Sequence, residues 1–208
     1  DKFSCPGFRI VEDRKIRCHK VGGHGAETFL QGAMNSCNPV FVEMGLRLGA
    51  KRFYDYLGAF GIGKATGVDI PGEASGIVIA EKNVKRVDLA RIGFGQSVAV
   101  TPIQLLTAAC AAINGGNLMR PYVVSEILDG NGNTIEKNQP KTVANPIKPE
   151  TSETMRKLLE GVVENGGGKN ARVAGYRIGG KTGTAQVYVD GVVTDDMHIG
   201  SFLGFAPA

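Results

Sequence analysis

The sequence predicts a mixed α/β (α+β) fold. Helical apolar spacing fills the middle of the chain, from Asn38 to Ile113 and again from Pro149 to Val163. Strand-like runs fill the last third. With 208 residues and 42% hydrophobic content, the chain is long enough to bury a core in one or two domains. Helices followed by neighbouring strands point to an antiparallel sheet packed with helices.

Residues 3–19 read as a hairpin: Phe8, Ile10 and Val11 precede a polar turn at Glu12-Asp13-Arg14, and Ile16 follows it. Gly22-Gly23-His24-Gly25 is a loop, and Glu27 to Met34 has helical spacing. Asn38-Pro39 suits a helix start, Asn as N-cap and Pro in the first turn. Val40, Phe41, Met44, Leu46 and Leu48 then form a buried stripe, and a second helical piece covers Ala50 to Phe60. Gly61 to Val87 is glycine-rich and irregular. Thr101-Pro102 repeats the N-cap and Pro pairing, and the nearly all-apolar run Ile103 to Ile113 is expected to be buried on every side. Tyr122 to Leu128 is a strand running into a turn at Asp129-Gly130-Asn131-Gly132. Pro149-Glu150-Thr151 opens an amphipathic helix with Met155, Leu158, Leu159, Val162 and Val163 inward, ended by Asn165-Gly166-Gly167-Gly168. Strands are expected over 176–179, 184–189 and 199–205, with a hairpin turn at Asp190-Gly191.

Composition excludes several classes. The hydrophobic fraction rules out a disordered tail, and 30 glycines without a fixed period rule out a collagen-like fibre. A net charge of +4, no Lys/Arg run and 7% aromatics leave no electrostatic footprint for nucleic acid. The most apolar stretch, Val98 to Ile113, is broken by Thr101, Pro102, Gln104 and Thr107, so nothing spans a bilayer.

Two triplets carry chemistry. Lys181-Thr182-Gly183-Thr184 lies among strand-like runs. On a strand, Lys181 and Gly183 share one face and Thr182 and Thr184 the other, and the missing side chain at Gly183 lets a substrate approach the backbone. Ser36-Cys37-Asn38 lies between two helices, where a Ser and an Asn two apart can both point into a cleft. Taken singly, each has an ordinary structural reading: a surface strand for the first, helix capping for the second.

Taken together, in this order, they resemble the penicillin-binding protein and serine β-lactamase superfamily, whose motif set is a Ser-x-x-Lys, a Ser-x-Asn and a Lys-Thr-Gly. Phe3-Ser-Cys-Pro-Gly7, Gly23-His-Gly25, Gly61-Ile-Gly63, Asp69-Ile-Pro-Gly-Glu73, Gly93-Phe-Gly-Gln-Ser97, Thr101-Pro-Ile-Gln104 and Gly179-Gly-Lys-Thr-Gly-Thr-Ala-Gln186 extend the likeness over almost the whole chain. All are similar to class B penicillin-binding proteins, most of all the sporulation-specific members of Gram-positive spore formers. The resemblance implies a transpeptidase fold, of which residues 1–208 are the C-terminal part of a single domain. It implies a serine acyl-enzyme that cross-links peptidoglycan stem peptides, is acylated by β-lactams and requires no cofactor. It also implies an enzyme on the extracytoplasmic face of the membrane or in the forespore envelope, anchored by an N-terminal helix and working with a glycosyltransferase. Ser36 would relay a proton, Asn38 would hold the substrate backbone, and Lys181 would supply positive charge. Thr182 and Thr184 would bind the substrate carboxylate beside Gly183, with the Thr184 N–H in the oxyanion hole. Ser4, Ser36, Ser75, Ser97, Ser125, Ser152 and Ser201 all lack a Lys three places later. The nucleophile motif is therefore expected before Asp1. A β-lactam sensor or β-lactamase on the same fold, and a catalytically silent scaffold of division or sporulation, are the alternatives.

The cysteines leave three readings open. Cys5 and Cys18 fall nearly opposite each other across the expected hairpin, as a reduced pair or as a disulfide. A zinc site competes: Asp1 and Cys5 share a strand face, and with Cys18 and the loop residue His24 they make a mixed tetrahedral set, leaving His19 outside unless the strand has already ended there, in which case His19 replaces Asp1 or His24. Cys37 and Cys110 read as small buried apolar groups. Gly23-His-Gly25 also reads as a packing feature of the family.

Overall fold

The computed structural model describes residues 1–189 and 192–208. In chain order the elements are β1 (Lys2–Cys5), β2 (Phe8–Val11), β3 (Arg14–Arg17), β4 (Gly25–Thr28), α1 (Phe29–Met34), α2 (Asn38–Ala59), β5 (Ile77–Val78), α3 (Arg86–Gly93), β6 (Val98–Ala99), α4 (Pro102–Ile113), β7 (Leu118–Met119), β8 (Glu126–Leu128), β9 (Thr134–Lys137), β10 (Thr142–Ala144), α5 (Pro149–Asn165), β11 (Gly179–Val189) and β12 (Val192–Phe205). Every ladder among the described residues is a two-stranded antiparallel pair, as the mixed α/β expectation requires. No helix of the described residues is long and apolar enough to cross a membrane.

The chain forms two compact units. Unit 1 comprises residues 1–49, 84–96 and 154–208, and unit 2 residues 50–83 and 97–153. Helix α2 is interrupted at Gly49 (φ 75°, ψ 162°), in the left-handed half of backbone space that glycine alone enters freely. The second helical piece expected from Ala50 begins there.

Unit 1 holds two apolar clusters. Phe3, Cys5, Cys18, Cys37 and Val40 make one, with Phe29 and Met44 against it. Val11, Ile16, Val42 and Ala90 make the other, flanked by Leu46, Val87 and Phe94. Fully burying one such valine is worth about 1.5–3 kcal/mol, so α2 is fixed chiefly by Val40 and Val42. The long ladder of unit 1 is β11 with β12, in which Lys181 faces Leu203 and Gly183 faces Ser201. It starts at Gly179, so residues 176–178 are not the strand their sequence suggests. The turn expected at Asp190-Gly191 lies outside the described residues.

Two other expectations change in unit 1. The 3–19 hairpin is only β2 with β3, while β1 pairs with β4, Cys5 opposite Gly25. Residues 27–28 are therefore strand rather than helix, and Gly25 is strand rather than loop. The helix starts two residues later than expected, at Phe29, because Thr28 and Gln31 close a capping box, Thr28 Oγ1 accepting from the Gln31 N–H at 3.2 Å and Gln31 Oε1 from the Thr28 N–H at 2.8 Å.

In unit 2, α4 is not buried all round. Leu105 and Leu106 are exposed, whereas Gln104 is 1% exposed. Gln104 closes a capping box with Thr101, and its amide donates to the carbonyls of Lys64 (within hydrogen-bond reach at 2.5 Å) and Ser75 (2.9 Å). A polar side chain that satisfies two backbone groups inside the unit turns the helix so that leucines face outward.

Candidate active site

The site grows from the short loop after α1. Asn35, Ser36 and Cys37 turn back on that helix, donating their N–H groups to Gln31 (2.8 Å), Ala33 (3.1 Å) and Gly32 (2.8 Å). Ser36 takes a positive φ of 50°, uncommon for a residue with a side chain. The turn carries Cys37 inward, where it is fully buried, and leaves Ser36 facing the β11 strand.

Lys181 meets it there. Its Nζ donates to Ser36 Oγ at 2.7 Å and to the Thr182 carbonyl at 2.9 Å. The two side chains come from positions 145 residues apart and carry the only Lys–Ser hydroxyl contact among the described hydrogen bonds. Burial pushes the Lys181 ammonium below its ordinary range, because removing water penalises the charged form. Thr182 and Thr184 lie on the same strand beyond it. Gly183 has a second reason to be glycine: a Cβ there would stand 2.6 Å from Ser201 Oγ on β12. Asn38 opens α2, and its amide donates to the Arg17 carbonyl at 3.0 Å.

Behind the loop lies a cluster of thiols. Cys5, Cys18, His24 and Cys37 place their donor atoms within 4.8 Å of one another, and all four cysteines of the chain are free. His24 Nδ1 stands 3.5 Å from Cys18 Sγ and 3.7 Å from Cys5 Sγ. A tetrahedron with arms of about 2.0–2.3 Å has edges of about 3.5–3.8 Å, which the two His24–thiol distances match. Glu27 lies beside the cluster, 5% exposed; its Oε1 accepts from Asn35 Nδ2 at 2.6 Å and its Oε2 has no partner. That orphan oxygen is 3.9 Å from His24 Nδ1, too far for a hydrogen bond. Burial pushes the Cys18 and Cys37 thiols up and the His24 imidazole down. Burial also pushes Cys5 up, but N–H groups of His24 and Gly7 aimed at its sulfur outweigh this and leave it lowered.

Three readings of the cysteines are corrected. Asp1 is not in the cluster. It shares the face of Cys5 but pairs with Arg47 at 3.2 Å, and that guanidinium lies 4.8 Å over the Phe3 ring between them. Cys37, read as filler, takes its place. Cys110 is exposed rather than buried. Cys5 and Cys18 do meet, though not across a hairpin. Cys18 donates its N–H to the Gly7 carbonyl at 2.8 Å, and Gly23 is folded so tightly onto the same turn that a Cβ would fall 2.1 Å from the Cys5 carbonyl oxygen. His19 stays outside, its ring 5.4 Å from that of His24. No spacing rule links Cys37 to the other three; only the reversal at Ser36 does.

Known proteins share this architecture. A family model described as the penicillin binding protein transpeptidase domain matches residues 1–208. Stage V sporulation protein D of Bacillus subtilis (strain 168) is 47% identical over 209 residues, covering 100% of this chain and 32% of that protein. Penicillin-binding protein PbpB of Mycolicibacterium smegmatis is 32% identical over 182 residues, covering 83% and 28%. The crystal structure of penicillin binding protein 3 of Mycobacterium tuberculosis complexed with ampicillin superposes with a TM-score of 0.92 at 28% identity, over 99% of this chain and 47% of that one. The chain spans about a third of the length of the curated relatives it matches.

Proposed function

Because the chain belongs to the penicillin-binding protein transpeptidase family, we propose that it is the C-terminal part of one peptidoglycan D,D-transpeptidase domain, acting in the cell wall of a sporulating or dividing bacterium. The observation that carries this reading is the Lys181–Ser36 contact. It joins the Ser-x-Asn and Lys-Thr-Gly triplets into one polar cleft, as acyl transfer requires.

In this mechanism the Oγ of a serine in a Ser-x-x-Lys motif outside this chain attacks the carbonyl carbon between two D-Ala residues of a stem peptide. The C–N bond breaks, and the departing amine of the terminal D-Ala takes up a proton. Ser36, hydrogen-bonded to Lys181, relays that proton. An amine of a neighbouring stem then attacks the acyl-ester carbonyl, the ester C–O bond breaks, the amine's proton passes to the departing serine Oγ, and the new amide completes the cross-link. Lys181 supplies positive potential throughout, and Thr182 and Thr184 bind the terminal carboxylate. Asn38, whose amide holds the Arg17 carbonyl, turns its remaining hydrogen-bonding capacity to the substrate backbone. The Thr184 N–H serves the oxyanion, a contact worth about 3–4 kcal/mol in such sites. β-Lactams mimic the same amide and acylate the same serine. The enzyme works outside the cytoplasmic membrane, anchored by a segment outside this chain, beside a glycosyltransferase.

Intact mass of the full-length protein with a fluorescent penicillin tests this reading. A stable adduct on a serine preceding Asp1 is expected, slowed at least tenfold in Lys181→Ala. A rapidly hydrolysed adduct would identify a β-lactamase instead, and no adduct would identify a scaffold.

The family chemistry needs no cofactor. We further propose that Cys5, Cys18, His24 and Cys37 hold a structural zinc, with Glu27 as the neighbouring carboxylate. A closed set of three thiolates and one imidazole leaves no open position for substrate, so its part is to fix the Ser36-Cys37-Asn38 loop. Metal analysis of the reduced full-length protein should give one zinc, lost in Cys37→Ser and in Cys5→Ser. Stoichiometric zinc surviving either change overturns this ligand set.

A further inference from the structure

Helix α5 ends in three glycines that behave differently. Gly166 and Gly168 both return their N–H groups to the Val162 carbonyl, at 3.0 and 3.1 Å. Gly167 alone turns away and donates to the Met34 carbonyl at 3.0 Å. Met34 is the last residue of α1, two before Ser36, and its carbonyl is one of those a helix end leaves unpaired. The other carbonyls of that end are taken by Asn35, Ser36 and Cys37, so Gly167 completes the set of bonds that hold the Ser36 turn.

The reason for glycine differs between the two positions. Neither has a positive φ, so the backbone alone demands nothing. At Gly166 space decides: a Cβ would stand 2.5 Å from the Met34 oxygen and 2.9 Å from the Met34 Cα. The Val162 carbonyl oxygen would stand at 2.8 Å as well, and all three obstacles are backbone, so the turn carrying Ser36 or the end of α5 would have to shift. At Gly167 a Cβ would be only in ordinary contact, 3.8 Å from Met34 O and 3.8 Å from Thr182 Oγ1. Gly167 is exposed, and a larger side chain there would extend along the face that carries the Thr182 hydroxyl.

We propose that the Gly166-Gly167 turn is a further wall of the acyl-donor cleft, in which Gly166 is a positioning residue for Ser36, acting through Met34, and Gly167 sets the room beside Thr182 for the carboxylate end of the substrate. The inference rests on the transpeptidase reading. Close approach at Gly166 keeps the Ser36 hydroxyl within reach of Lys181. The bare Cα at Gly167 keeps the groove open.

The test measures benzylpenicillin acylation of the full-length protein, separating the dissociation constant of the non-covalent complex from the limiting acylation rate. Gly166→Ala is expected to lower the limiting rate by about 10- to 100-fold, the usual effect of a misplaced reacting group. It should also move the alkaline limb of the pH profile, because the Lys181–Ser36 bond is loosened. Gly167→Val is expected to weaken the non-covalent complex at least fivefold with the limiting rate within twofold of the parent. The neighbouring surface change Lys169→Ala should alter neither. A Cβ at Gly167 keeps 3.8 Å from the Met34 oxygen, so the groove role can be judged at this position even where Gly166→Ala fails to fold. Wild-type binding by Gly167→Val, or a loss confined to its limiting rate, overturns the groove role. A folded Gly166→Ala with the parent rate and pH profile overturns the positioning role. If the parent protein is not acylated at all, the transpeptidase reading fails, and that result is distinct from either.

Discussion

At the scale of single residues, the proposed chemistry turns on one half-buried cation. Lys181 has its ammonium pushed below the ordinary 10.5 by burial. The positive form is therefore lost, as pH rises, earlier than at an exposed lysine. The same shift acts on stability. The desolvation penalty is present in full at low pH and relieved as pH climbs from the folded value towards 10.5, so this group's contribution to folding improves with alkalinity. The acylation rate of the full-length enzyme should fall on its alkaline side with an apparent pKa under 10.5. Lys181→Arg should push that limb up, because a guanidinium does not deprotonate, and should lower the plateau, because its planar fork cannot copy a point contact. An alkaline limb unmoved by Lys181→Arg would assign it to another group. The triplets at 36–38 and 181–184 were legible in the sequence because each residue type has a chemical use. The partner of Cys37 was not legible. It depends on a backbone reversal at a residue with a side chain, and neither spacing nor propensity encodes that.

At the scale of elements, capping explains where helices begin and where sequence patterns mislead. Thr28 and Thr101 each close a box with a glutamine three residues on. The first shortened a helix that periodicity alone started at Glu27, because the apolar rhythm of α1 continues back into β4. The second fixed α4 but also buried Gln104, against the pattern that made the helix apolar on every side. Gln104→Ala should destabilise the protein by about 2–3 kcal/mol, since it strips partners from the Lys64 and Ser75 carbonyls and from the Thr101 N–H. Leu106→Gln, at an exposed position of the same helix, should change stability by less than about 0.5 kcal/mol. Thermal unfolding of both variants decides between this orientation and an all-buried helix. Beside Lys181 the strand was legible over 184–189, where Thr, Val and Tyr suit a pleated ladder, whereas its extension back through Gly180-Lys181-Thr182-Gly183 is set by pairing with β12, since glycine is a poor strand former. Its start at Gly179 was not, because residues 176–178 have strand-like composition and no partner strand.

At the scale of the whole molecule, every proposed cleft residue falls within unit 1: Ser36, Asn38, Lys181, Thr182 and Thr184, with Gly166 and Gly167. The thiol cluster is in the same unit. Unit 2 has its own buried organisation around Gln104 and Ser152, whose hydroxyl donates to the Ala112 carbonyl and accepts from the Gly115 N–H, both at 3.0 Å. Hydrogen exchange on the full-length protein, before and after penicillin, should show new protection in 33–38, 166–168 and 179–184 and none in the exposed β8–β9 hairpin. Protection spread evenly over both units would contradict a site confined to the first. Composition and pattern indicated the architecture at this scale, yet gave no sign that the chain leaves unit 1 and returns twice. That division depends on which distant segments touch, and periodicity is blind to it.

The Lys181–Ser36 bond also has a consequence for the order of events during synthesis. The thiol cluster spans only residues 5–37, so its members meet across short loops. The ammonium that completes the cleft arrives 145 residues after the serine it meets. Closing so long a loop is a late and slow step. A chain halted before residue 167 lacks the Gly167 bond to Met34 as well as the ammonium that Ser36 meets. The proposed cleft is therefore complete only when translation has passed Lys181.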